Sequence, residues 1–139
     1  MRQIEALVYR YAELLDAGDL DGVAGLFEHA TWRSARANVS GTDAVRRMYD
    51  GVILYDDGTP RTKHVITNLV IEHDEGATEA TARSYFTVLQ LKDARLEPVI
   101  AGRYHDRFEQ VDGTWRFAER IIHPDLHGDL SQHMRGPTR

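Results

Sequence analysis

Ile4, Leu7, Val8, Tyr11, Leu14 and Leu15 fall on the i, i+3, i+4, i+7 spacing of one helix face, so the chain opens on an amphipathic helix. Gly18 ends it as a C-terminal cap, and Asp19 is placed to N-cap a second, short helix through about Phe27. Val23, Leu26 and Phe27 would point inward from that helix. Thr31 to Arg36 reads as a short strand. Thr42 or Asp43 then caps a third helix with Val45, Met48, Tyr49, Val52 and Ile53 inward, and Asp56-Asp57-Gly58-Thr59-Pro60 is a loop.

After the loop the period changes from helical to extended. Thr62 to Glu72, Glu79 to Leu91, Leu96 to Gln110 and Thr114 to His123 are rich in Val, Ile, Thr, Tyr and Phe and predict four strands. Asp112-Gly113 is the clearest hairpin signal between them. Helices followed by consecutive antiparallel strands define an α+β domain whose long strands curl around the N-terminal helices. Residues 1–139 read as a single domain, with a core of about 2–123. The polar tail, Pro124 to Arg139, is expected to be poorly ordered unless a neighbouring subunit holds it.

Composition narrows the function. At 139 residues and 42% hydrophobic the chain can bury a full core. Its net charge of −5, with no basic block or stripe, argues against nucleic acid or an anionic membrane as partner. No apolar run approaches the roughly 18 residues of a membrane span. The first residues lack a signal-peptide apolar region, so the expected compartment is the cytosol. The absence of cysteine excludes disulfides, thiolate catalysis and cysteine metal sites.

Two residues carry the candidate chemistry. Asp16 ends the first helix at the margin of its apolar stripe, where the macrodipole disfavours an acid. It is either a solvated turn aspartate or a group held there for a purpose. Strand alternation places Thr62, His64, Ile66 and Asn68 on one face, a pattern that suits a pocket wall with directed hydrogen bonds. His64 is then either a structural histidine or a base that operates at neutral pH. Tyr11 lies on the inward face of the first helix. Arg120 lies between Ala118 and Ile122, on the face opposite Trp115, Phe117 and Ile121, either snorkelling at an edge or facing a polar cavity. His123 and His127 have i, i+4 spacing, but Pro124 and Gly128 interrupt the helix a metal site would need, so no metal is expected. His105 and Asp106 are adjacent on a strand and point to opposite faces.

These elements together resemble the SnoaL-like branch of the nuclear transport factor 2-like superfamily. The resemblance spans roughly residues 2–123. It is carried by Ile4 through Asp16, Asp19-Leu20, Leu26-Phe27, His64 with Thr67-Asn68-Leu69, Tyr104 through Glu109 and Asp112 through Phe117. It implies a cone-shaped, barrel-like fold with the N-terminal helices packed in the concavity of a strongly curved, mainly antiparallel sheet. The functional pattern is most similar to the family's dehydratases and dehydrochlorinases, in which an Asp–His dyad abstracts a proton. Asp16 and His64 match those positions. Tyr11 matches the tyrosine of the bile acid dehydratase, where the hexachlorocyclohexane dehydrochlorinase has lysine. Arg120 matches an arginine that assists a departing halide.

The resemblance implies a lyase-type enzyme without metal or organic cofactor. It would act on a small hydrophobic cyclic substrate in a buried pocket lined by Tyr11, Trp32, Tyr49, Asn68, Tyr104 and Arg120. A homodimer is expected, with a trimer as the alternative. The same parts would serve a polyketide cyclase or isomerase. The fold also hosts dioxygenase β subunits and non-catalytic ligand-binding modules.

Overall fold

The computed structural model describes residues 2–135. Its element order is α1 (Arg2–Asp16), α2 (Leu20–Gly25), β1 (Thr31–Arg33), β2 (Asn38–Ser40), α3 (Thr42–Met48), a 3-10 turn (Tyr49–Gly51), β3 (Thr62–Glu72), β4 (Glu79–Lys92), β5 (Arg95–Val111) and β6 (Thr114–His127). One open six-stranded sheet runs β2-β1-β6-β5-β4-β3, antiparallel throughout except where β1 lies parallel to β6. The helices sit in its concavity, giving the α+β cone that the sequence predicts.

Helix α1 buries Ile4, Val8, Tyr11, Ala12, Leu14 and Leu15, and packs against β3 and β6. Each fully buried aliphatic side chain stabilises the fold by about 1.5–3 kcal/mol. The turn after α1 needs Gly18, whose φ is +78° and whose absent Cβ would stand 2.0 Å from the Gly58 carbonyl oxygen. Gly18→Ala is therefore expected to cost at least the left-handed penalty of about 1–2 kcal/mol, plus displacement of the 56–60 loop. A urea denaturation midpoint equal to wild type would show that the loop does not press on this turn. Asp19 caps α2 as predicted, accepting from the Gly22 amide at 2.8 Å. The hairpin residues Asp112 and Gly113 both have positive φ, at 51° and 80°, as a tight primed turn demands.

Several expectations are corrected. The segment 31–36 is not one strand: β1 ends at Arg33, a turn closed by the Ser34 amide on the Ala37 carbonyl follows, and β2 returns. Gly41, not Thr42 or Asp43, is the N-cap of α3, which ends at Met48, before Val52 and Ile53.

Bulges bend the sheet and shift its alternation. Each inserts one residue and so reverses which face the following side chains take. In β3, Thr67 pairs with Tyr85 but Val70 pairs with Arg83, and the extra residue includes Asn68 at φ 54°. Asn68 is consequently exposed, not on the pocket wall, and Leu69 turns toward the core instead. In β6, Phe117 pairs with Phe108 but Glu119 pairs with Arg107, leaving Ala118 over. Arg120 therefore shares the inner face with Trp115 and Phe117 rather than opposing them, and only Ile121 lies on the other face.

The tail is also ordered as far as Arg135; residues 136–139 lie outside the described residues. Strand β6 continues through Pro124, which the sheet tolerates because β1 covers only Glu119 to Ile121 of that edge. The chain then folds back, and Met134 forms a bridge with Val52.

Candidate active site

Asp16 and His64 meet where the end of α1 crosses the start of β3. Asp16 Oδ1 lies 2.6 Å from His64 Nδ1 and accepts the Thr62 hydroxyl at 2.8 Å. Its Oδ2 accepts the His64 backbone amide at 2.8 Å. These donors offset the unfavourable helix-end position. Burial alone would raise the Asp16 pKa, but the bonds and charge of His64 and the Thr62 hydroxyl outweigh it and hold the carboxyl below its ordinary value. An ionised carboxylate only accepts, so Nδ1 carries the proton and Nε2 is left as a base. The two side chains are 9% and 5% exposed. They border a cleft of about 590 Å³ between α1 and β3, lined also by Tyr9, Glu13, Lys63 and Ile66.

A second polar cluster fills the inner cone. The Tyr11 and Tyr49 hydroxyls hydrogen-bond each other, and Trp32 Nε1 donates to the Tyr49 oxygen at 3.2 Å. Burial raises the pKa of Tyr11, Tyr49 and Tyr104, so all three stay neutral hydroxyls. Arg120 is 0% exposed and donates through Nε and Nη2 to Asp106 at 2.8 and 2.9 Å. Its guanidinium carbon stands 3.7 Å from the Tyr104 ring centroid and 4.3 Å from that of Tyr11. Burial would lower the Arg120 pKa, but Asp106 outweighs it and raises it, so the cation is permanent. Arg120 is thus half of a buried ion pair, with Nη1 alone lacking a partner.

The structure therefore gathers Tyr11, Trp32, Tyr49, Tyr104 and Arg120 into one contiguous network, and brings Asp16 to His64. It excludes Asn68 from both groups. His105 stacks edge-on against His123 at 4.8 Å on the outer face, away from Asp106. Among the described residues no group of three or more His, Asp or Glu is placed to hold a metal.

Sequence reasoning missed Asp106 as the partner of Arg120, and it missed His133. The latter is 4% exposed, its ring centroid lies 6.1 Å from that of His64, and its Nδ1 has no hydrogen-bond partner. Leaving such a group unsatisfied costs about 1–3 kcal/mol. No local pattern marks His133, since its burial depends on the tail folding back.

Burial, followed by the neighbouring His64, pushes the His133 pKa down to about 4 from 6.5, with Asp16 opposing. Between those values the unfolded chain binds a proton that the native chain does not. Stability from this group is full above pH 6.5 and falls as the pH drops toward 4, by on the order of 3 kcal/mol. Asp16, depressed below 3.8, adds its own loss only at lower pH. Denaturation midpoints from pH 7 to 4.5 are expected to fall in wild type and to flatten in His133→Phe; equal slopes would place His133 in water.

Comparison with known proteins agrees with this fold. No curated protein matches the chain. Among solved structures, it is 30% identical to a variant of Rv3472, a protein of unknown function from Mycobacterium tuberculosis, with TM-score 0.74 over 89% of this chain and 70% of that one. It is 27% identical to a protein from Novosphingobium aromaticivorans provisionally named scytalone dehydratase, with TM-score 0.71 over 91% and 84% of the two chains. A dioxygenase β subunit from the same organism, itself provisionally named for aromatic-ring hydroxylation, shares the fold at 20% identity and TM-score 0.72, over 90% and 88%. The family model for the SnoaL-like domain matches residues 1–121. The chain belongs to the SnoaL-like family.

Proposed function

We propose that the chain is a cofactor-independent lyase of the dehydratase kind, acting on a small hydrophobic cyclic molecule that carries a hydroxyl group. The observation that carries this reading is the 2.6 Å contact between a buried, ionised Asp16 and His64 Nδ1. The similarity to a protein provisionally named scytalone dehydratase supports it.

His64 Nε2 takes a proton from a carbon made acidic by a neighbouring carbonyl. Asp16 fixes the tautomer and stabilises the imidazolium that forms, as the carboxylate does in a serine-protease triad. The C–O bond then breaks with its electron pair on oxygen, and the proton on His64 passes to that oxygen, releasing water. The Tyr11–Tyr49 hydroxyl pair and Arg120 Nη1 supply donors toward an oxyanion, and Trp32 and Tyr104 supply ring surface. The enzyme works in the cytosol as a homodimer, burying the exposed Val65, Tyr85 and Leu126 of the outer sheet face.

A panel of cyclic β-hydroxy ketones in D2O tests this by NMR. Wild type is expected to exchange the proton next to the carbonyl and to release water, giving the unsaturated ketone. Exchange and elimination in His64→Ala at the wild-type rate would sink the reading. Ring closure without loss of water would make the enzyme a cyclase.

A further inference from the structure

His133 reaches the dyad on a segment that the sheet and helices hold at several points. Lys92 Nζ donates to the Asp129 carbonyl at 2.6 Å, Gln90 Nε2 to the Gln132 carbonyl at 2.8 Å, and the Ile53 amide to the His133 carbonyl at 2.8 Å. The Tyr55 hydroxyl also donates to Gln132. The backbone on both sides of His133 is therefore fixed, and its ring is set at 65° to that of His64. A phenylalanine would fill this space without burying an unpartnered nitrogen. Buried polar groups in folded proteins nearly always find a partner, and binding pockets present a few polar groups that wait for one.

We infer that His133 is a substrate-binding residue, whose free ring nitrogen hydrogen-bonds the oxygen carried by the ring of the cyclic substrate. This rests on the proposed lyase reading for the reaction, though not for the binding. As a neutral imidazole it donates its N–H to the oxygen that departs, while the C–H proton goes to His64 and then to that oxygen. His133 keeps its own proton throughout, so the elimination balances without it.

Two probes isolate the oxygen. 1-Tetralol carries a ring hydroxyl but no carbonyl-activated C–H, so it binds without turning over; tetralin lacks the oxygen. Titrations followed by the imidazole NMR signals are expected to show 1-tetralol shifting the His133 ring. His133→Phe should weaken 1-tetralol by about tenfold, the value of one well-made hydrogen bond, and leave tetralin unchanged. His133→Gln, which keeps a donor, should retain most of the affinity. Binding of 1-tetralol equal in wild type and His133→Phe, or no saturable binding to wild type, overturns the inference. These readouts need no turnover, so dependence on His133 without proton exchange would leave this site standing while the lyase reading falls. Exchange that needs His64 but binding indifferent to His133 would do the reverse.

Discussion

Asp106→Ala is expected to destabilise the chain by about 3–5 kcal/mol, the usual cost of breaking a buried ion pair from one side. Arg120 is fully buried and would keep its charge, because a guanidinium does not deprotonate in proteins. The faces of Tyr11, Tyr104 and Phe117 would remain to compensate it in part. Set against a typical total of about 5–15 kcal/mol, such a loss approaches unfolding at ordinary temperature. Removing both charges should be far milder: in Asp106→Leu with Arg120→Met, apolar side chains of similar volume replace the ion pair and most of the stability returns. Urea denaturation of the two variants decides it. A single-variant loss under about 1 kcal/mol would mean that water reaches Arg120 and that the inner cone is open.

The same pair shows what a sequence discloses and what it withholds. The helix face from Ile4 to Leu15 was legible because its period depends only on neighbouring residues. The Asp112-Gly113 hairpin was legible because its turn demands those residue types. Asp16 and His64 were legible as a pair only through family resemblance, since nothing local joins a helix end to a distant strand. Asn68 and Arg120 were misplaced for one physical reason. Strand alternation has a period of two, so one inserted residue inverts everything after it. Neither the bulge near Asn68 nor the one at Ala118 has a glycine or proline to announce it. His133 was invisible because its surroundings come from Lys92, Gln90 and Ile53, and no pattern within the tail encodes them.

On a substrate that the wild type turns over, His64→Ala is expected to lower kcat by about 10²–10⁴-fold, the range for loss of a positioned general base. Asp16→Asn should fall nearly as far, although the fold keeps an oxygen where the His64 amide donates. An asparagine amide turned toward Nδ1 offers a donor where an acceptor stood, so the proton moves to Nε2 and the base is lost. Ring nitrogen NMR shifts of His64 should report that change of tautomer directly. Residues that act as a unit are non-additive, and the double variant should therefore be no slower than the worse single one. Losses that multiply would mean that Asp16 and His64 contribute independently, with Asp16 only tying α1 to β3. In that case Asp16→Asn should lower the denaturation midpoint more than it lowers kcat, and comparing the two in one preparation separates a dyad from a structural clasp.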